Sequence, residues 1–222
     1  MPNDIRTQAI ILRRTNYGES DRILNLLTPE GKISALAKSV RKEKSRLAGG
    51  IELFSVSDVV VHQGRSNLGT LTSAKMLHFY GNILADLPRL EFASSCLRKL
   101  EKAAEQTDNP EYFEILQAVL AALNKSANLE VVQTWFAFNL ARAMGEELNL
   151  LTDIAGADLD SAQKYFWDGA EMALRADERG SIGAREIKLA RIMWEQSLAT
   201  ILRIQQVAEI ITPLTGIART LQ

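Results

Sequence analysis

The chain has 222 residues, of which 46% are hydrophobic and 24% charged, a balance typical of a folded globular protein that excludes wholesale disorder. Its formal net charge of −1, taken as an average over the chain, argues against a nucleic-acid-binding protein. The single cysteine, Cys96, excludes an intramolecular disulfide bond and a cysteine-based zinc site.

The N-terminal segment gives no sign of export. Its apolar run, residues 9–12, is four residues long and ends at Arg13. A run of that length is too short for a signal peptide or a transmembrane helix. We therefore expect a cytoplasmic protein.

The first 80 residues predict short β-strands. The second and third predicted strands flank Thr28-Pro29-Glu30-Gly31, a turn sequence, and so form a hairpin, while the fourth is strongly β-branched. Five short strands favour a small closed barrel, for which the OB-fold is the commonest fit and an SH3-like barrel the alternative. The five predicted strands are Thr7–Arg14, Asp21–Leu27, Lys32–Lys38, Leu53–His62 and Leu68–Met76.

A polar segment, Ser39–Gly50, separates the third and fourth predicted strands. It carries four basic residues and one acidic residue, and it ends in Gly-Gly. This composition predicts a mobile loop that lies outside the core.

From about residue 82 the apolar residues recur at helical spacing. Helices are predicted over Leu90–Gln106, after Pro110, over Leu129–Leu148 and over Ala184–Gln206. Residues 151–183 are less regular, and within them Tyr165–Gly169 predicts a strand that enters an Asp-Gly turn. We therefore predict an α+β protein: an OB-fold over residues 1–80, then a larger helical domain over residues 81–222.

The charges divide at the same place. Residues 1–80 carry 12 Lys/Arg and 7 Asp/Glu, whereas residues 81–222 carry 14 and 20. A basic first third followed by an acidic remainder predicts two domains with different partners.

The sequence offers no catalytic constellation. Gly31-Lys32 resembles the end of a phosphate-binding loop. That motif needs a glycine at position 26 and a Ser or Thr after the lysine, whereas this chain has Leu26 and Ile33, so the motif is incomplete. His62 and His78 are expected to end a strand or to lie at the surface. With no nucleophile, base and orienting group in evidence, a non-enzyme without a cofactor is predicted.

The basic residues of the first domain are the best candidates for a function. OB-folds bind nucleic acid on strands 2 and 3 and on the loops that join strands 1–2 and 4–5. The alternative is a charged loop that is merely solvated. Aromatic residues are scarce in this domain, so we expect phosphate contacts that tolerate any base sequence. The candidates found in this way are Arg13, Arg14, Tyr17, Lys38, Arg41, Lys42, Lys44, Arg46 and Arg65.

Aromatic residues are more frequent in the second domain. Trp135, Phe136 and Phe138, together with Trp167 or Trp194, are interpreted as core residues. The alternative is that one of them lines a groove for a short apolar peptide. An acidic domain that does not compete for DNA would suit a protein-docking role.

Several segments of the first 75 residues together resemble the RecO family of recombination-mediator DNA-repair proteins. The dipeptide Asn67-Leu68 also matches the family pattern. The resemblance is carried by Ala9-Ile10-Ile11-Leu12-Arg13, Tyr17-Gly18-Glu19-Ser20-Asp21-Arg22-Ile23, Thr28-Pro29-Glu30-Gly31-Lys32, Ala37-Lys38-Ser39-Val40-Arg41-Lys42, Lys44-Ser45-Arg46-Leu47 and Leu53-Phe54.

The resemblance implies an N-terminal OB-fold and a helical C-terminal domain. It implies binding of single- and double-stranded DNA, annealing of complementary strands, and a nucleoid-associated place in the cytoplasm. It also implies work with RecR and with single-stranded-DNA-binding protein, through the helical domain, so that RecA loads onto coated strands. The DNA-binding role carries over onto Arg13, Arg22, Lys38, Arg41, Lys42 and Arg46.

The sequence departs from the family pattern in two places. Ser39 stands where the family usually has Gly. Many members carry a four-cysteine zinc module after the third helix, whereas residues 151–177 contain no cysteine here. We therefore expect a zinc-less member in which packing of Tyr165, Phe166 and Trp167 replaces the metal. The alternatives are an OB-fold RNA-binding protein of ribosome or tRNA metabolism and a non-catalytic adaptor whose barrel is purely structural.

Overall fold

The computed structural model of the protein describes residues 4–64 and 66–221. By its internal contacts the chain divides into two compact units, Met1–Asn124 and Lys125–Gln222, which we call the first and second unit. The last strand of the first unit ends at Phe79, and its first α-helix begins at Leu87. The division into domains 1–80 and 81–222 concerns independent folding and stays a prediction.

The first unit opens with a closed five-stranded barrel in the order β1-β2-β3-β5-β4. Neighbouring strands are antiparallel except β3 and β5, which are parallel. The predicted OB-type barrel is confirmed. The strands are β1 (Asp4–Tyr17), β2 (Asp21–Thr28), β3 (Gly31–Ala37), β4 (Ser55–His62) and β5 (Leu68–Phe79).

The first strand is longer than the sequence predicted. It pairs with β4 over Asp4–Ile10 and with β2 over Ile10–Tyr17, and its register shifts between Ile11 and Arg13. Such a bulge bends a strand, which lets β1 belong to both sides of the barrel. Tyr17, which lies beyond the end of the predicted first strand, is therefore a strand residue.

The barrel core is built from alternate residues of the strands, such as Ile11, Leu24 and Leu26, all of which are fully buried. Two residues in or beside the predicted mobile loop join this core: Val40 is 3% exposed and Ile51 is 1% exposed. The expectation that this whole segment lies outside the core was wrong at Val40 and also at Leu47 and Ala48, which pack against the same core. Burying a side chain of this size stabilises the fold by about 1.5–3 kcal/mol.

Two helices complete the first unit: α1 (Leu87–Gln106) and α2 (Glu111–Asn124). The side chain of Asp86 caps α1 by accepting a hydrogen bond from the Arg89 backbone N–H at 3.1 Å. The buried face of α1 includes Cys96, Leu97 and Leu100. Part of α1 packs against β1, β2 and β3, and this contact shapes the site described below.

The second unit is built around α3 (Leu129–Ala143), which is buried on nearly every side. Trp135, Phe136 and Phe138 are at most 4% exposed, so their interpretation as core residues is confirmed. The further elements are β6 (Tyr165–Asp168), β7 (Ala173–Ala176), α4 (Ala184–Glu195), α5 (Leu198–Ile201), α6 (Val207–Ile210) and α7 (Thr215–Thr220).

Two predicted helices of this unit were too long. The helix predicted to run to Leu148 ends at Ala143, and Gly145 just beyond it has a φ of +87°, which glycine adopts without strain. The helix predicted over Ala184–Gln206 stops at Glu195, because Ser197 caps a separate short helix.

Residues 151–183 contain the predicted hairpin, formed by β6 and β7. Its connection is four residues, Gly169–Met172, and the Asp168 side chain accepts hydrogen bonds from two backbone N–H groups within it. Of the three residues expected to pack here, Tyr165 is 1% exposed and Trp167 is half-buried, but Phe166 is 43% exposed, so its predicted packing role was wrong.

Aspartates hold the turns of the same region. Asp153 Oδ1 accepts hydrogen bonds from the backbone N–H groups of Ala155 and Ala157, at 2.9 and 3.0 Å. Asp177 Oδ1 accepts one from the backbone N–H of Arg179 at 2.7 Å. Each aspartate is followed three residues later by a glycine, in Asp-x-x-Gly turns that side-chain hydrogen bonds close.

Candidate nucleic-acid interface

The segment after β3, which carries five of the predicted DNA-binding residues, is joined to the loop between β1 and β2. The Arg41 backbone N–H donates to the carbonyl of Ser20 at 2.8 Å, and the Arg41 guanidinium donates to the carbonyl of Gly18 at 3.4 Å. The Ser39 backbone N–H donates to the carboxylate of Asp21 at 2.6 Å. The β1–β2 loop and the segment after β3 therefore form one surface at one end of the barrel.

The backbone conformation of Ser39 explains why the family usually has Gly at this position. Its φ of +53° lies in the left-handed region, which glycine adopts freely and other residues adopt at a cost. The hydrogen bond to Asp21 holds the serine in this conformation. A glycine at this position would meet the same backbone requirement without strain.

The exposed cations at this end form what we call the basic end. Tyr17 lies beside them and is 55% exposed. Among the described residues none of these cations has an ion-pair partner, although Glu43 lies exposed within the same loop. Their positive charge is therefore available to phosphates. The basic end consists of Lys38, Arg41, Lys42, Lys44 and Arg46.

The remaining predicted residues differ in availability. Arg13 Nε lies 3.0 Å from a Glu101 oxygen, and Arg14 Nη1 lies 2.7 Å from a Glu52 oxygen. Arg22 is half-buried and donates to the side-chain oxygen of Asn16 at 3.2 Å. Arg65 lies outside the described residues.

The β2–β3 face of the barrel, where OB-folds commonly bind nucleic acid, is met by α1. Asn25 on β2 donates to Glu101, and Lys32 on β3 donates to Glu105 at 2.7 Å. These hydrogen-bonded carboxylates stand where phosphates would approach strands 2 and 3. The Lys32 ammonium also holds the pKa of the Glu105 carboxyl below its ordinary value, chiefly through their hydrogen bond.

Sequence reasoning missed the residues that α1 contributes. Glu101 and Glu105 neutralise cations of the barrel, and Arg98 is exposed on the same helix with no ion-pair partner among the described residues. The helical spacing of α1 could have placed the three on related faces. Nothing in the sequence linked that face to the barrel.

The described part of the chain contains neither a grouped metal site nor a membrane span. In residues 4–64 and 66–221, no three or more His, Cys, Asp or Glu side chains are grouped to hold a metal ion. Within the same ranges, no helix has the length and apolar character needed to cross a membrane.

Comparison with known proteins agrees with this architecture. The family model described as Recombination protein O N terminal matches residues 1–80, and the model described as Recombination protein O C terminal matches residues 84–217. The chain belongs to the RecO family. This membership confirms the resemblance seen in the first 75 residues and makes the chain a DNA repair and recombination protein.

Several relatives of the family are named DNA repair protein RecO. The one from Dehalococcoides mccartyi is 32% identical over 222 residues, which cover 96% of this chain and 87% of the relative. The one from Alkaliphilus metalliredigens is 31% identical and covers 83% of this chain and 76% of the relative. The one from a Roseiflexus species is 35% identical and covers 72% and 57%.

Proposed function

We propose that this RecO-family protein binds single- and double-stranded DNA through the basic end of its barrel and anneals complementary strands. With RecR, it helps RecA load onto strands coated with single-stranded-DNA-binding protein. It acts without catalysis and without a metal or cofactor, in the cytoplasm at the nucleoid. The observation that carries the proposal is the basic end: five exposed cations on the segment that follows β3, which is hydrogen-bonded to the β1–β2 loop, without carboxylate partners among the described residues.

The physical basis of DNA binding is the release of counterions from phosphates. Each lysine or arginine that neutralises a phosphate of a single strand contributes roughly 0.7 to the slope of log K against log salt. Five such contacts would give a slope of about −3.5. Since phosphates carry no base information, binding would be nearly independent of sequence.

Annealing uses the same charges differently. Two complementary strands repel each other through their phosphates, and cations that contact both reduce this repulsion. Lys42, Lys44 and Arg46 are exposed, beyond the hydrogen bonds that Ser39 and Arg41 make. Side chains in this position can screen two strands without fixing either, so the strands remain free to slide into register.

The acidic second part of the chain suits protein partners. Residues 81–222 carry 14 Lys/Arg and 20 Asp/Glu, so this region attracts DNA less than the barrel does. Family membership supports RecR and single-stranded-DNA-binding protein as these partners, docking on the helical region.

The decisive experiment removes the loop charges. Arg41, Lys42, Lys44 and Arg46 are replaced together by Ala, and binding of a labelled single strand is measured against salt. Because this variant keeps one of the five phosphate-binding cations, the slope should fall from about −3.5 to about −0.7, equally for all base sequences. A control in the second unit replaces four exposed cations that the proposal does not use: Lys125, Lys164, Arg185 and Lys188.

The results that would contradict the proposal are distinct. Unchanged affinity and slope in the loop variant, with normal melting, would show that the loop is only solvated. Preference for RNA over DNA of the same sequence in a competition assay would instead favour an RNA-binding protein, because RNA readers use the 2′-OH.

A further inference from the structure

A groove of about 420 Å³ lies within the first unit, between the C-terminal part of β1, the start of β2 and the middle of α1. Its floor includes Leu12 and Leu97, which are 4% and 3% exposed. Its polar lining includes Asn16 and Ser94. The charged residues that line it are Arg13, Arg14, Arg22, Arg98 and Glu101.

The groove is electropositive because its one acidic side chain is already engaged. Glu101 accepts hydrogen bonds from Arg13 and from Asn25, and its side chain is only 12% exposed. Arg14 is held by Glu52 and by the carbonyl of Ile51. Arg22 and Arg98 have no carboxylate partner among the described residues. The two arginines of the groove that no carboxylate neutralises, Arg22 and Arg98, therefore favour an anionic ligand.

The groove continues into the basic end. Arg22 pairs in the sheet register with Ala37, and Lys38 follows Ala37 directly. Arg22 lines the groove and Lys38 belongs to the basic end, so the two sites adjoin at this edge of the sheet. The continuity points to a polymer of phosphates.

We infer that this groove binds the phosphodiester backbone of single-stranded DNA, and that Arg98 of α1 is a phosphate contact. The inference rests on the proposed function and extends the DNA path from the barrel loops onto a helix. The groove volume lies in the range of clefts that enclose small ligands, which suits the backbone of one strand better than a paired duplex. The apolar floor receives sugars, and the arginines receive phosphates in a sequence-tolerant manner.

The first test replaces Arg98 by Ala and by Glu. At about 0.1 M salt, removing one phosphate contact to a single strand reduces affinity about fivefold, and the salt slope becomes shallower by about 0.7. Arg98→Glu should reduce affinity further, because it adds repulsion. Duplex affinity should change less than single-strand affinity in both variants. The control is Lys75→Ala, which removes an exposed charge from β5, a strand that pairs with neither β1 nor β2.

A second test measures how far DNA protects an introduced cysteine from a thiol reagent, and it does not depend on a loss of affinity. Cys96 is fully buried, and this burial raises the pKa of its thiol, so a thiol reagent will label only an introduced cysteine. In Ser94→Cys, single-stranded DNA should slow the labelling of a cysteine that lines the groove. Labelling of Lys75→Cys should be unaffected.

The outcomes separate this inference from the proposed function. If Arg98→Glu binds single strands as the wild type does and DNA leaves the labelling of Ser94→Cys unchanged, while the four-residue loop variant loses binding, the groove inference fails alone. If the loop variant also keeps wild-type binding, the proposed function fails. If Arg98→Glu weakens duplex and single-strand binding equally, the assignment to a single strand is overturned.

Discussion

Two basic surfaces of the same barrel differ in what binds their cations. On the β2–β3 face, Lys32 and the adjacent Arg13 of β1 are held by glutamates of α1. At the basic end, the exposed lysines and arginines have no such partners among the described residues. Under the proposed function, this difference means that the density of Lys and Arg does not by itself define a phosphate-binding surface. What defines it is whether a carboxylate of the same chain has already bound those cations.

The largest expected effect is at the basic end. Replacing Arg41, Lys42, Lys44 and Arg46 by Ala should reduce single-strand affinity by several hundred-fold at about 0.1 M salt, since each contact contributes about fivefold. Annealing of complementary oligonucleotides, followed by fluorescence quenching, should fall with it while the melting temperature stays near wild type. A variant that anneals normally would remove the distinction between the two surfaces.

The opposite change should convert the neutralised face into a DNA-binding one. Glu101→Gln with Glu105→Gln would free Arg13 and Lys32, because a neutral amide no longer cancels their charge. We expect single-strand affinity to rise by up to about 25-fold and the salt slope to steepen by up to about 1.4. Fluorescence anisotropy at several salt concentrations measures both. Unaltered affinity would mean that α1 blocks this face sterically, whatever its charge.

The sequence predicted one of these surfaces and not the other, for a physical reason. Strand alternation and the Pro29–Gly31 turn are local signals, so the barrel and the basic loop could be read directly. The ion pair of Arg13 with Glu101 joins residues far apart in the chain, and only tertiary packing brings them together. Arg13 was for this reason predicted as a free DNA contact, although a carboxylate already binds it.

The predicted ends of two helices were wrong for a related reason. The apolar pattern continues past Ala143 and past Glu195, but the positive φ of Gly145 and the cap at Ser197 end the helices earlier. Periodicity reports which face is buried and does not report where the backbone leaves the helix.

Charges of the second unit provide a contrast to both surfaces, because they hold turns. Replacing Asp153 or Asp177 by Ala removes side-chain hydrogen bonds to the backbone and should destabilise the protein by about 1 kcal/mol each. Thermal unfolding should show the loss, and DNA affinity should not change.

We also expect no stoichiometric zinc and no effect of a chelator on the melting temperature. Unfolding on chelation would contradict this.

The smallest expected effect is at Ser39. Because its φ is +53°, Ser39→Gly relieves strain, but glycine also makes the unfolded chain more flexible, so the net stabilisation of the barrel should be less than about 1 kcal/mol. The glycine retains the backbone N–H that bonds Asp21, so the joined loops and DNA affinity should be unchanged. Chemical denaturation measures the gain. Ser39→Val, which is β-branched, should have the opposite sign and serves as the comparison.

The buried position of Cys96 has a consequence for the conditions in which a DNA repair protein works. Oxidants that damage DNA also attack thiolates, and susceptibility follows exposure and a lowered pKa. The one thiol of this chain is fully buried, and its pKa is raised. Peroxide therefore meets no reactive thiolate. The protein escapes oxidation at cysteine during the same stress that makes repair necessary.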